Sequence, residues 1–206
     1  MTGRFITIEG GEGVGKSTQV KALAEALRAR GVEVLVTREP GGSVGAEAIR
    51  ELLLSGEEER WSPHAEVLLF AAARADHIQR TILPALTTGK WVLSDRFVDS
   101  SLAYQGGAGG LGIETVRSIN AFAVNGHFPD RTLILIHDKG AERARARDED
   151  GSDRIGGRPE EYHRKVDAAF RIIAAEEPER VQLVDASGTP ELVTGRLLDA
   201  IKDLLP

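Results

Sequence analysis

Directly after the apolar run Phe5-Ile6-Thr7-Ile8 the chain reads Gly10-Gly11-Glu12-Gly13-Val14-Gly15-Lys16-Ser17-Thr18, and a helical pattern follows from Gln19 to Arg30. The string fits G-x-x-x-x-G-K-[ST] in the strand-to-helix context that such a phosphate-binding loop requires. From average residue usage its four fixed positions would arise by chance in a chain this long about one time in a hundred. Glycines let successive backbone N–H groups curl around a phosphate, and the helix N-terminus adds its positive dipole end. Lys16 is placed to reach the β and γ oxygens and Ser17 to ligate Mg²⁺, so Gly10 to Thr18 are the expected ATP-binding residues.

The rest of the chain is organised to suit that loop. Five short apolar runs read as strands: Phe5 to Ile8, Val32 to Val36, Trp91 to Leu93, Thr132 to Ile136 and Val181 to Val184. Helical periodicity fills the intervals at about 16–30, 44–55, 63–87, 112–125, 159–176 and 189–204. Alternation of strand and helix predicts an α/β fold, a five-stranded parallel sheet with helices on both faces and ligands at the carboxyl ends of the strands. The 206 residues suit a single domain. Glu142 to Arg158, crowded with arginines and acids, is expected to be an exposed, flexible lid.

A net charge of −6 gives no general attraction for nucleic acid or an anionic membrane, so anionic ligands need a local basic cluster. The absence of cysteine excludes disulfides and thiolate metal sites and suits the cytoplasm. No signal-peptide pattern and no membrane-spanning apolar run is present.

The loop fixes a nucleoside triphosphate but not the acceptor. A guanine-reading N-K-x-D string is absent, which argues against a GTPase. Ser94-Asp95-Arg96-Phe97 places a carboxylate and an arginine at the end of the third strand, where Asp95 can hold Mg²⁺ and Arg96 a second phosphate. Thr37-Arg38-Glu39-Pro40-Gly41-Gly42 supplies Arg38 in a stiff turn, and Arg38 and Arg96 could grip one phosphate together. Phe70 and Arg74, one helical turn apart, could stack on a base and bond its carbonyls; core packing for Phe70 and a solvated rim for Arg74 is the plainer alternative.

The combination of I-E-G-x-E-G-x-G-K-S, T-R-E-P-G-G, F-A-A-A-R-A-D-H, S-D-R-F, S-S-L-A-Y-Q-G-G and R-A-R-A-R resembles the bacterial thymidylate kinases in order and spacing, over nearly the whole chain. That resemblance implies a P-loop NTPase fold with a lid, a homodimer, and phosphorylation of dTMP to dTDP by ATP and Mg²⁺ on the way to dTTP. It implies that Phe70 stacks on thymine, that Arg74 bonds its O4 edge, and that Ser101 and Gln105 approach the remaining polar edge. Tyr104 would lie under the sugar and Glu12 would face the 3′-hydroxyl or the metal shell, while Arg38 and Arg96 hold the dTMP phosphate. The catalytic set implied is Lys16, Arg96 and lid arginines.

None of the variable loop positions Gly11, Glu12, Gly13 and Val14 is basic, whereas the lid offers Arg143, Arg145 and Arg147. Arginines at every second position cannot share one helix face; the resemblance favours Arg147 and then Arg143 as the residues facing the phosphates. The stretch Ile136 to Ala141 lacks the proline-containing turn usual in the family. Two other readings remain at this stage: a kinase for another nucleotide or deoxynucleoside, and a nucleotide-binding protein without turnover.

Overall fold

The computed structural model describes residues 3–137 and 154–205. Strands β1 (Phe5–Gly10), β2 (Val34–Arg38), β3 (Trp91–Asp95), β4 (Arg131–Ile136) and β5 (Val181–Asp185) form a parallel sheet in the order β2-β3-β1-β4-β5. Both faces are covered, which is why the strands read as apolar runs. Along β1 the side chains alternate between two cores. Phe5 joins the cluster under Val67, Phe97 and Phe170, and Ile6 and Ile8 join the opposite cluster with Leu23 and Leu197. The same alternation sends Thr7 and Glu9, both fully buried, to the face of Phe5.

Helix α1 (Lys16–Arg28) and the C-terminal α8 (Pro190–Ala200) pack on one face. The other face carries α2 (Val44–Leu54), α3 (Pro63–His77), α4 (Leu83–Thr87), α5 (Val98–Ser101), α6 (Ile113–Val124) and α7 (Glu160–Glu176). Because β1 lies between β3 and β4, the loop leaving it opens at the point where the sheet order reverses, the usual ligand crevice of such folds. Among the described residues no helix is long and apolar enough to cross a membrane.

The sheet agrees with the expectation, and three helical features differ from it. The periodic segment 63–87 is divided by a π-helical turn over Ile78–Ile82, immediately before Pro84, which has no N–H for the helical ladder. A helical segment absent from the sequence reading, α5, runs on into a second π-helical stretch over Leu102–Ala108. Its Gly106-Gly107 pair looks like a turn in sequence but serves close packing: a Cβ on Gly107 would lie 2.5 Å from the Ala169 Cβ of α7. Finally, the expected exposed excursion 142–158 is corrected at its C-terminal end, where Arg154 and Ile155 are buried. Arg143, Arg145 and Arg147 lie outside the described residues.

Candidate active site

The carboxyl ends of β1, β2 and β3 open into a cleft of about 820 Å³. Glu12, Gly13, Gly15, Lys16, Ser17 and Thr18 line one part of it, and Phe70, Arg74, Ser101, Tyr104 and Gln105 another, with Arg38, Asp95 and Arg96 between. Gly10, Gly11 and Val14 complete the loop behind this wall. Gly10 is held at φ 137°, and a Cβ there would meet the Leu135 carbonyl at 2.6 Å. Gly15, at φ 93°, starts α1 without a side-chain cap, so the first N–H groups of the helix are left for a ligand.

Lys16 is buried, with its ammonium donating to the Gly11 carbonyl at 2.6 Å. Burial, and then the nearby Arg96 charge, brings its pKa down from 10.5 to about 8. Ser17 donates to Asp95 Oδ2 at 3.0 Å, while the buried Asp95 Oδ1 has no hydrogen-bond partner. A hydroxyl beside a carboxylate with one oxygen unsatisfied fits a hard divalent cation. Among the described residues no cluster of three or more acidic or histidine ligands exists. The fit is therefore to an ion that draws its other ligands from phosphates and water.

Arg96 adopts a left-handed backbone with φ 69°, unusual for a non-glycine residue and costly by roughly 1 kcal/mol. Its surroundings impose it. The Arg96 N–H donates to Ile8 O at 3.0 Å, the Ser94 hydroxyl to Arg96 O at 2.7 Å and the Phe97 N–H to Glu9 Oε1 at 2.7 Å. Glu9 also accepts from Ser100. Burial and the neighbouring Asp99 raise Glu9 to about 7.

The Arg96 guanidinium donates to Glu12 Oε1 at 2.5 Å, to Gly10 O and to Ser100 Oγ, and lies 5.0 Å from the Tyr104 ring centre. Tyr104 donates to the same Glu12 oxygen at 2.9 Å. Burial alone would raise Glu12, but the Arg96 and Lys16 charges bring it down to about 2. Burial holds the Tyr104 hydroxyl protonated far above its usual range. Arg38 is more than half exposed, pairs with Glu47 at 3.2 Å and lines the cleft.

At the other end, Phe70 is 9% exposed, so it belongs to the core and lines the cleft at once. Arg74 is 2% exposed, which overturns the solvated-rim alternative. It donates to Glu39 at 2.8 Å, to Ser101 Oγ at 3.2 Å from each arm, to Phe97 O at 3.0 Å and to Asn120. Glu39 also binds His77, which reaches Thr37. Ser101, at the end of α5, and Tyr104 and Gln105, three and four positions further on in the π-helical stretch, all line the cleft. Sequence reasoning named no role for Glu9, Glu39 or Glu66. Its one available signal was that Glu9 shares the strand parity of Phe5.

A family model described as thymidylate kinase matches residues 8–196. The chain belongs to the thymidylate kinase family. A thymidylate kinase of Rhizorhabdus wittichii is 58% identical over 209 residues, covering the whole of both chains. One of Bradyrhizobium diazoefficiens is 49% identical over 99% of this chain and 91% of its own length. The crystal structure of thymidylate kinase from Ehrlichia chaffeensis superposes with a TM-score of 0.80 at 30% identity, covering 98% of this chain and 99% of that one. Full-length membership of the thymidylate kinase family makes the chain a nucleotide kinase, and the reading as a binding protein without turnover is not favoured.

Proposed function

We propose that this chain transfers the γ-phosphoryl group of ATP to dTMP, giving dTDP and ADP. The observation that carries this reading is the single cleft that joins a phosphate-binding loop at one end to a ring-and-arginine pair, Phe70 and Arg74, at the other. Phe70 offers a face for thymine and Arg74 donors for O4, while Ser101 and Gln105 lie beside that edge. Tyr104 and Glu12 stand between base and phosphate, where a deoxyribose would lie, and Arg96 with Arg38 would hold the acceptor phosphate.

A phosphate oxygen that attacks is already anionic, so no side chain has to take a proton. Catalysis then consists of alignment and neutralisation of charge. Lys16 supplies one cation to the transferring group, Arg96 holds the acceptor, and we assign the remaining cations to Arg147 and Arg143 of the lid. Ser17 and Asp95 would hold Mg²⁺, which when bound neutralises charge on the β and γ oxygens. Exposed apolar side chains on α3 (Leu68) and α6 (Phe122) suit a homodimer built on those helices. The cysteine-free composition suits reaction in the cytoplasm.

The deciding experiment supplies ATP and Mg²⁺ with dTMP, dUMP, dCMP, dGMP, AMP, CMP and UMP in turn and follows ADP and diphosphate formation. Rapid dTDP formation with strong preference for dTMP is expected. Preference for another monophosphate would remove the base-reading assignment and keep the phosphate loop.

Phe70→Ala is expected to raise the KM for dTMP about tenfold to a hundredfold with a smaller effect on kcat, since stacking on a base contributes about 1–3 kcal/mol. Unchanged dTMP kinetics would return Phe70 to the core alone.

A further inference from the structure

We infer that Glu66 is a specificity-determining positioning residue, whose carboxylate turns the Gln105 amide so that the site selects a pyrimidine with N–H at position 3 over cytosine. The inference rests on the reading above, in which this end of the cleft holds the base.

Glu66 lies on α3 one turn before Phe70 and two before Arg74, and it is 3% exposed. Its two oxygens have separate duties. Oε2 accepts from Arg154 at 2.6 Å and from Arg158 at 2.8 Å, so two guanidinium groups occupy that oxygen. Oε1 accepts from the Gln105 side-chain nitrogen at 3.0 Å. Arg154 is fixed in turn by a 2.9 Å bond from its Nε to Leu53 O.

A carboxylate can only accept, whereas a carboxamide has a donor end and an acceptor end. Gln105 therefore has to give its NH₂ end to the Glu66 carboxylate. That choice leaves the carbonyl oxygen for the other side. Gln105 is 4% exposed and lines the cleft with Arg74 and Ser101, and among the described residues its Oε1 makes no hydrogen bond.

Arg74, a pure donor, is oriented by Glu39 and Asn120. A base carbonyl that takes one Arg74 arm from the Ser101 hydroxyl meets a donor there, and Gln105 offers an acceptor beside it. Thymine presents O4 as acceptor and N3–H as donor, and it complements both. Cytosine presents an amine and a bare N3 at the same positions, so it opposes both. Arg74 alone would act on only one of these positions, and Glu66 supplies the second by denying Gln105 its alternative orientation. A polar site rejects a mismatched base because a buried group is left unpaired.

The test is kcat/KM for dTMP and dCMP in the full-length protein and in E66Q, Q105L and E66Q/Q105L. With glutamine at position 66 either end of the Gln105 amide can face the base. E66Q and Q105L are each expected to lower the dTMP:dCMP ratio about tenfold, mainly through the KM for dTMP, the scale of one neutral hydrogen bond. The double variant should fall no further than Q105L. A ratio unchanged in E66Q, with both substrates slowed alike, would overturn the role of Glu66 while a lowered ratio in Q105L keeps the base reading. A ratio unchanged in Q105L would overturn the base reading itself. Should E66Q fail to fold because Arg154 and Arg158 lose the Glu66 carboxylate, E66Q/R154M removes one of those cations and is judged by the same ratio.

Discussion

Replacing Arg96 by alanine is expected to lower kcat/KM for dTMP by about two to three orders of magnitude, the usual loss when a fixed electrostatic partner of the reacting groups is removed. ATP affinity should change little. The reason lies in how much of the structure is devoted to this one residue. Its left-handed backbone is held by Ile8, by Ser94 and, through Phe97, by the buried Glu9. Its guanidinium already has an anionic partner in Glu12, whose carboxyl stays charged down to about 2. A phosphate entering the cleft would compete for the same arm. Arg96→Lys keeps the charge but loses the two-pronged geometry, so it should fall between wild type and alanine. Arg96→Gly separates strain from function. Glycine adopts φ 69° without penalty, so this variant should melt no lower than R96A and yet be equally slow. Near-normal dTMP turnover in R96A, measured by coupled ADP release, would end the phosphate-clamp assignment.

Much of this architecture is legible in the order of residues. The phosphate loop, the five parallel strands and the placing of Arg38 and Arg96 at strand ends follow local rules of period, punctuation and motif, which operate over a few positions, whereas the base-reading role of Phe70 and Arg74 comes only with the family resemblance. The hidden part is the buried carboxylates. Glu39 and Glu66 look like ordinary surface acids in sequence, and Glu66 even falls in the first turn of α3, where an acid is favoured for the helix dipole alone. What buries them are arginines 35 and 88 positions away, Arg74 and Arg154, and no local pattern announces such a pairing. The same long-range chemistry explains why the C-terminal end of the charged segment is interior: Arg154 follows Glu66 into the protein. Helix α5 and its π-helical continuation were missed for a related reason. Gly106 and Gly107 signal a turn locally, and only the approach of α6 and α7 shows that their missing side chains make room. Arg143 and Arg147, named from the resemblance, lie outside the described residues, and their roles remain part of the proposal.

Lys16→Met should abolish detectable phosphoryl transfer, a loss of at least about a thousandfold, because in the proposed mechanism its ammonium is the cation set against the transferring phosphate. The same substitution should raise the melting temperature of the nucleotide-free protein by a few degrees. Both expectations follow from one fact. Folding lowers the Lys16 pKa from 10.5 to about 8, so the folded state resists the charge that the reaction needs. The sign fixes the pH window: the cost to stability is fully present below about 8, diminishes as the lysine loses its proton in the folded state, and is absent above 10.5. A bound triphosphate reverses the preference, since its oxygens favour the ammonium. ATP should therefore bind with proton uptake above pH 8 and with affinity that falls as pH rises further. Calorimetric titrations in buffers of different ionisation enthalpy read the proton directly. Uptake that is absent at pH 9 in wild type, or that persists in K16M, would show that another group carries it and that Lys16 is not the phosphate's partner.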